Sequence, residues 1–207
     1  KIIKINSKHY DEMLMKKYPI KKEYIVFIDG MPFDHVDVLR REGSLLKEKR
    51  ELYYKNIKKL FSQLSKIYKK KVIICLHPKY EKNKIRNDFK GFLWKLNQTE
   101  KYIAKSFMVV VLESSSIVQA ILLKKKILTI HGRIIGEHGD KRCLAYAKDL
   151  GLNKIDIGNI DSWKLKKIKF NKNKIDKYYN NYIKKNIVTK NNITSSEQII
   201  QALSKLV

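Results

Sequence analysis

The chain has 207 residues, 46 Lys+Arg against 20 Asp+Glu, and a formal charge of +26. This length suits one large domain or two small ones, and an apolar content of 43% excludes wholesale disorder. Two widely spaced cysteines, Cys75 and Cys143, exclude a disulfide scaffold or a zinc site and suit a reducing cytoplasm.

Taken in chain order, Tyr24-Ile-Val-Phe-Ile-Asp29 is a short β-branched and aromatic run ended by Gly30 and Pro32, which predicts a buried strand. Glu48 to Lys70 places Leu52, Ile57, Leu60, Phe61, Leu64 and Ile67 at helical spacing, with a Lys-rich outer face. Lys71 to Leu76 predicts a second buried strand, stopped by His77-Pro78, and Gly91 to Lys95 a weaker third. Thr99 opens a short helix. Phe107 to Leu112 is a further strand, followed by Glu113-Ser-Ser-Ser116 and a helix from Ile117 to Lys124. Lys126 to Ile130 is the next strand, Lys141 to Leu150 a helix ended by Gly151, and Lys154 to Ile157 a last strand. The tail from Asn171 predicts two more helices, the second opening at Thr194-Ser-Ser-Glu197.

Strands that are continuously apolar and alternate with helices predict an α/β fold, a Rossmann-like parallel sheet with helices on both faces. We expect an N-terminal extension or linker over 1–23, a Rossmann-like domain over 24–165 and a C-terminal helical extension over 166–207. No apolar run reaches membrane-spanning length and no signal peptide is visible. The chain starts at Lys1, not Met, which suggests a piece of something longer.

The basic excess has two readings. One is a polyanion partner, nucleic acid or an anionic membrane surface. The other is compositional, the Lys-, Ile- and Asn-rich vocabulary of an AT-rich genome. There are 40 Lys and 6 Arg, at positions 40, 41, 50, 86, 133 and 142. Base readout favours bidentate Arg, so a Lys excess argues poorly for it, while Lys holds phosphates and anionic head groups well.

In an open parallel sheet, ligands bind at the carboxyl ends of the strands. Three predicted strand ends carry chemistry: Asp29-Gly30, His77-Pro78 and Glu113-Ser114-Ser115-Ser116. A parallel sheet puts all of them on one rim. The serines sit where a strand turns into a helix, whose first amides favour an anion such as phosphate; plain N-capping is the competing explanation. Pro78 holds His77 extended, presenting the imidazole to the rim as a donor to a phosphate oxygen rather than as an ordinary turn residue. Asp29 reads first as a turn residue, with a ribose ligand or base as the other choice. Glu113 could meet a ribose hydroxyl or base amine, or simply flank the turn. Asp34, His35 and Asp37 form a polar loop cluster, and His131, His138 and Asp140 surround a Gly-rich loop that either closes over a ligand or is an ordinary exposed connection. The dinucleotide, P-loop, Asp-x-Asp, zinc and G-x-S-x-G signatures are absent, so no metal or cofactor is expected beyond the substrate itself.

Val72-Ile-Ile-Cys-Leu-His77-Pro78 and Glu113-Ser-Ser-Ser116-Ile-Val-Gln-Ala120, with the strand that follows, resemble the carboxy-terminal domain of GT-B-fold glycosyltransferases. The bacterial surface-polysaccharide group is the most similar in character: sialyltransferase-, polysialyltransferase- and Kdo-transferase-like enzymes and glycerophosphotransferases. The resemblance spans roughly 24–161. It implies one half of a GT-B fold that binds a nucleotide-activated sugar, most simply a CMP-linked acidic sugar, for capsule or lipopolysaccharide synthesis. His77 would be catalytic, stabilising the departing phosphate. Pro78, Glu113, Ser114, Ser115 and Ser116 would bind nucleotide and phosphate, with Asp29 and Gly30 as further candidates. It implies a glycan or lipid-linked acceptor, an N-terminal acceptor domain outside this chain, and a cytoplasmic site peripheral to the inner membrane face. A basic nucleic-acid-binding domain and a non-transferring sugar-nucleotide binder remain the alternatives.

Overall fold

A computed structural model describes residues 5–15, 19, 21–43, 47–80, 88–187 and 193–205. Parts of the predicted extensions, 1–4, 16–18 and 20 at one end and 188–192 and 206–207 at the other, lie outside them.

Six strands form one parallel sheet: β1 (Tyr24–Ile28), β2 (Val72–Leu76), β3 (Leu93–Leu96), β4 (Ser106–Val111), β5 (Lys126–His131) and β6 (Asn153–Asp156). Their order across the sheet is β3-β2-β1-β4-β5-β6, and each neighbouring pair is parallel. The third strand falls at Leu93–Leu96, two residues beyond the predicted start, because Gly91 takes a left-handed φ of +87° and ends a turn there.

The apolar runs have the expected cause. In β1, Ile25 and Phe27 face a core built on α3 (Lys47–Tyr68), with Tyr53, Ile57, Leu60, Phe61 and Leu64 packed against them. Val26 and Ile28 face the opposite core. That second layer holds α4 (Thr99–Ala104), α5 (Ile117–Leu122) and α8 (Lys172–Asn186), through Ile103, Ile117, Ile121 and Tyr178. A strand buried on both faces cannot alternate polar and apolar residues.

Two helices near the strand ends depart from the sequence expectation, and two more, Lys8–Met15 and Ser162–Lys167, have no counterpart in it. Val36–Glu42 is a helix, α2, in what reads as a polar loop; His35 caps it by accepting the Asp37 N–H. Helix α6 (Glu137–Leu150) starts four residues before the predicted Lys141, so His138 and Asp140 lie on its first turn and not on a free Gly-rich loop. Glycine at 136 and 139 weakened the helical pattern, yet Gly136 serves as the left-handed N-cap at φ +95°. Helices α7 (Ser162–Lys167) and α9 (Ser195–Leu203) complete the carboxy-terminal part; α9 opens with the capping box of Thr194 and Glu197. The amino-terminal helix α1 (Lys8–Met15) meets α9, whose Ser195 N–H donates to both Asp11 carboxylate oxygens at 3.0 Å. No described helix is long and apolar enough to cross a membrane.

One lysine ties the segment before β1 to the sheet. Lys125 is 5% exposed, and its ammonium donates to the carbonyls of Lys21, Ala104 and Ser106 at 3.2, 2.6 and 2.9 Å. Burial pushes its pKa down to about 8. Lys125→Met keeps the stem and deletes the three charge-assisted bonds, so we expect a loss of about 2–3 kcal/mol in urea unfolding. An unchanged midpoint would contradict this account.

Candidate functional site

Strands β1 and β4 lie side by side although the chain leaves β1 in one direction and returns through β4 to go in the other. The crevice at their carboxyl ends is the place where an open α/β sheet accepts ligands. A cavity of about 320 Å³ opens there, lined by Gly30, His35, Asp37, Val38, Arg41, His77, Leu112, Glu113, Ser114, Ser115, Ile117, Thr129, Arg142, Cys143 and Tyr146.

The floor is set by close backbone approach. A Cβ on Gly30 would stand 2.8 Å from the Glu113 carbonyl oxygen, so only glycine lets the two strand ends meet. Beside it, Asp29 is 2% exposed and pins the turn into α2: its Oδ1 accepts the N–H of Met31, a residue held at φ +49°. Asp34 and His35 N–H both donate to the Met31 carbonyl, which delivers His35 to the cavity wall. Asp29 itself does not line the cavity.

The two imidazoles meet edge to face, with ring centroids 4.8 Å apart. His77 Nδ1 accepts the Lys79 N–H at 3.3 Å, and His35 Nδ1 accepts the Asp37 N–H at 3.2 Å. With Nδ1 taken by a backbone N–H, the neutral form of either ring has its proton on Nε2. Burial, then the neighbouring His35 and Lys79, lower the His77 pKa from its ordinary value, which favours the neutral ring.

Positive charge comes from two helices. Arg41 on α2 reaches Glu113 Oε1 through Nη1 and Nη2 at 3.3 and 3.2 Å, and Arg142 Nη1 on α6 reaches the same oxygen at 2.7 Å. Arg41 Nε is buried without a partner among the described residues, and so is the Oγ1 of Thr129, which is 1% exposed on β5. Buried donors left open in a cavity wall are groups that a polar ligand can satisfy.

The structure therefore brings together Gly30, His77, Glu113, Ser114 and Ser115 of the residues singled out by sequence, on one rim. It places three others elsewhere. Pro78 is exposed on the turn after β2, and Asp29 is enclosed beneath the floor. Ser116 lines a separate cleft with His9, Asn97, Thr99 and Gln119. Within the serine run, Ser114 Oγ accepts the Ser116 N–H at 3.3 Å, a local turn bond, while Ser115 is exposed at the cavity edge. Glu113 is a counterion to two guanidinium groups. Arg41, Arg142 and Thr129 escaped the sequence reading, and His35 entered it only as part of a polar loop cluster. Arg was the available signal: in a chain with 40 Lys and 6 Arg, each Arg departs from the prevailing choice. No cluster of three or more His, Cys, Asp or Glu that could hold a metal is found among the described residues.

No family model matches the chain, and no curated protein does. Solved structures do. The UDP-GlcNAc 2-epimerase of Methanocaldococcus jannaschii, solved with UDP-GlcNAc and UDP, aligns with a TM-score of 0.50 at 14% identity, over 97% of this chain and 54% of its own. Arabidopsis thaliana UGT89C1 complexed with quercetin aligns at 0.46 and 11% identity, over 100% of this chain and 48% of its own. The glycotransferase of kitacinnamycin aligns at 0.45 and 11% identity, over 80% and 40%. At this identity the first likeness shows the fold: a Rossmann-like α/β sheet of the kind that makes one half of a GT-B protein. The chain spans about half the length of these structures.

Burial raises the Asp29 carboxyl from 3.8 to about 7, ahead of repulsion from Asp88 and Asp34. The folded state thus holds a proton that the unfolded chain releases between those values. Its contribution to stability is full below pH 3.8 and is lost as pH rises through 7. Thermal unfolding of Asp29→Asn should show a flatter pH dependence between pH 4 and 8 than the wild type, which should lose a few kcal/mol across that window from this group. Parallel profiles would refute the assignment.

Proposed function

We propose that the chain is the donor-binding half of a metal-independent glycosyltransferase of the GT-B type, taking a nucleotide-activated sugar at the β1/β4 crevice. The observation that supports this most is the convergence of His77, Ser114, Ser115, Arg41 and Arg142 on one 320 Å³ cavity at the sheet's switch point. Those groups are donors of the kind that grip phosphate oxygens. Neutral His77 would donate through Nε2–H to the phosphate oxygen that gains charge as the sugar departs, which is electrostatic stabilisation aimed at the transition state. Ser115 would donate beside it, and the Thr129 hydroxyl would meet a ligand polar atom at the floor.

The charge balance favours a donor of low charge. Arg41 and Arg142 share Glu113, and with Asp37 the charged side chains of the lining sum to no net formal charge. At the phosphate itself such a wall suits a single phosphodiester, as in a CMP-linked sugar, better than a diphosphate. An acidic CMP-sugar and a role in capsule or lipopolysaccharide synthesis follow from the resemblance. An acceptor glycan or lipid-linked glycan would bind on a second half, consistent with a chain that spans about half of its structural neighbours. Contact with an anionic membrane would draw on the Lys-rich surface, where Trp163 is 60% exposed beside Lys164, Lys166 and Lys167.

Calorimetric titration with CMP, a CMP-sugar and UDP tests the reading. We expect cytidine nucleotides to bind, and His77→Ala and Ser115→Ala each to weaken binding by roughly 10-fold, one charge-assisted hydrogen bond. Tighter binding of UDP would keep the nucleotide-sugar reading and discard the cytidine one. Absence of any nucleotide binding would discard both.

A further inference from the structure

Resting on the reading of the cavity as an anion site, we propose that Glu42 is the positioning residue that sets Arg41 and Arg142 across it. Glu42 ends α2, and its carboxylate is 4% exposed. It reaches across to the first turn of α6, where Gly139 N–H donates to Oε1 at 2.7 Å and His138 N–H to Oε2 at 3.3 Å. His138 Nδ1 lies 3.7 Å from the same Oε2. These are amides that a helix start leaves without internal partners, and a carboxylate also complements the positive end of the helix dipole.

The backbone opposite has room for this one group. A Cβ on Gly136 would stand 2.3 Å from Glu42 Oε2, and Gly136 holds φ +95°, which a side chain would resist. The contact joins residues 97 positions apart in sequence, so it is a tertiary strut, not a local cap.

The strut bears on the cavity because each helix it joins carries an arginine that lines it, Arg41 on α2 and Arg142 on α6. Arg41 immediately precedes Glu42 on α2, and Arg142 follows Gly139 by less than one turn on α6. Both guanidinium groups converge on Glu113 Oε1. Their convergence requires that the end of α2 and the start of α6 keep a fixed separation, and the Glu42 carboxylate bridges that gap. Without it, α2 can shift against α6 and the two charges cease to act on one anion. Glu42 touches no ligand in this arrangement; it acts through the arginines.

The test compares nucleotides with nucleosides. UDP and CMP carry phosphate for the arginine pair; uridine and cytidine do not. Affinities are read by ligand-observed NMR for wild type, Glu42→Ala and Glu42→Gln, with thermal unfolding as the control. Glu42→Ala should weaken UDP and CMP by roughly 10-fold or more while the nucleosides change little. Glu42→Gln, whose carboxamide oxygen still accepts from Gly139, should recover most of that loss. Should Glu42→Ala fail to fold, Glu42→Asp carries the same test, because it keeps the charge and withdraws it from Gly139. A folded Glu42→Ala with unchanged nucleotide affinity, or with nucleosides weakened in parallel, would overturn the proposal. So would a Glu42→Gln that binds nucleotides tighter than wild type, since Glu42 would then act by its charge. A wild-type chain that binds no nucleotide overturns the functional reading itself, and the clamp with it.

Discussion

The cavity exists because β1 and β4 end side by side and their following loops touch. That contact is closer than any side chain permits: Gly30 faces the Glu113 carbonyl across a gap with no room for a Cβ. Two chain segments far apart in sequence are thereby forced to a common point, and each then turns into a helix on its own side of the sheet. The β1 loop leads to α2 with His35 and Arg41. The β4 loop leads to α5 through the serine run. The cavity is the wedge between them, and its chemistry is decided by what each loop carries past that point.

Holding the wedge open leaves polar groups unsatisfied. Asp29 Oδ2, Arg41 Nε and Thr129 Oγ1 are buried without partners among the described residues, and the last two belong to cavity-lining side chains. Each such group costs free energy comparable to a lost hydrogen bond. The neighbouring packing offsets that cost. Phe27, Tyr53, Tyr54, Phe61 and Phe89 form a continuous set of ring contacts beneath β1, with centroids 5.0 to 6.4 Å apart. Beside it, Arg50 is held by Asp34 at 2.7 Å and Asp88 at 2.5 Å, and Tyr80 donates its hydroxyl to Asp88. The rim is therefore built on a rigid aromatic and ionic platform rather than on loose loops.

How much of this was legible depended on the range of the interaction. Strands such as Tyr24–Ile28 and Val72–Leu76 announce themselves because burial on both faces leaves no polar residue in the run. Parallel order then puts His77 and the serines on one edge without further information. Helix α2 was invisible, because a seven-residue helix with exposed Val36 and Leu39 has no apolar stripe to show. The start of α6 was hidden by two glycines, of which Gly136 leaves the space that the Glu42 carboxylate fills. Asp29 accepts the Met31 N–H two positions on, a bond short enough in range for an Asp-Gly pair after a strand to signal. The pairing of Glu113 with Arg41 and Arg142 joins positions 72 and 29 residues apart. No local pattern records a pairing of that kind.

The use of arginine gives the composition a meaning that the net charge does not. Most lysines lie on the outer faces, where a solvated ammonium serves as well as any cation. Arginine persists where geometry is demanding. Arg50 forks between two carboxylates, and Arg41 and Arg142 meet a single carboxylate oxygen from opposite helices. A lysine at any of these places would supply the charge but not the planar, multiply donating head. Three of the six arginines therefore sit where a point charge would not serve, two of them at the cavity wall, and the scarcity of arginine in a Lys-rich chain sharpens the signal at the site.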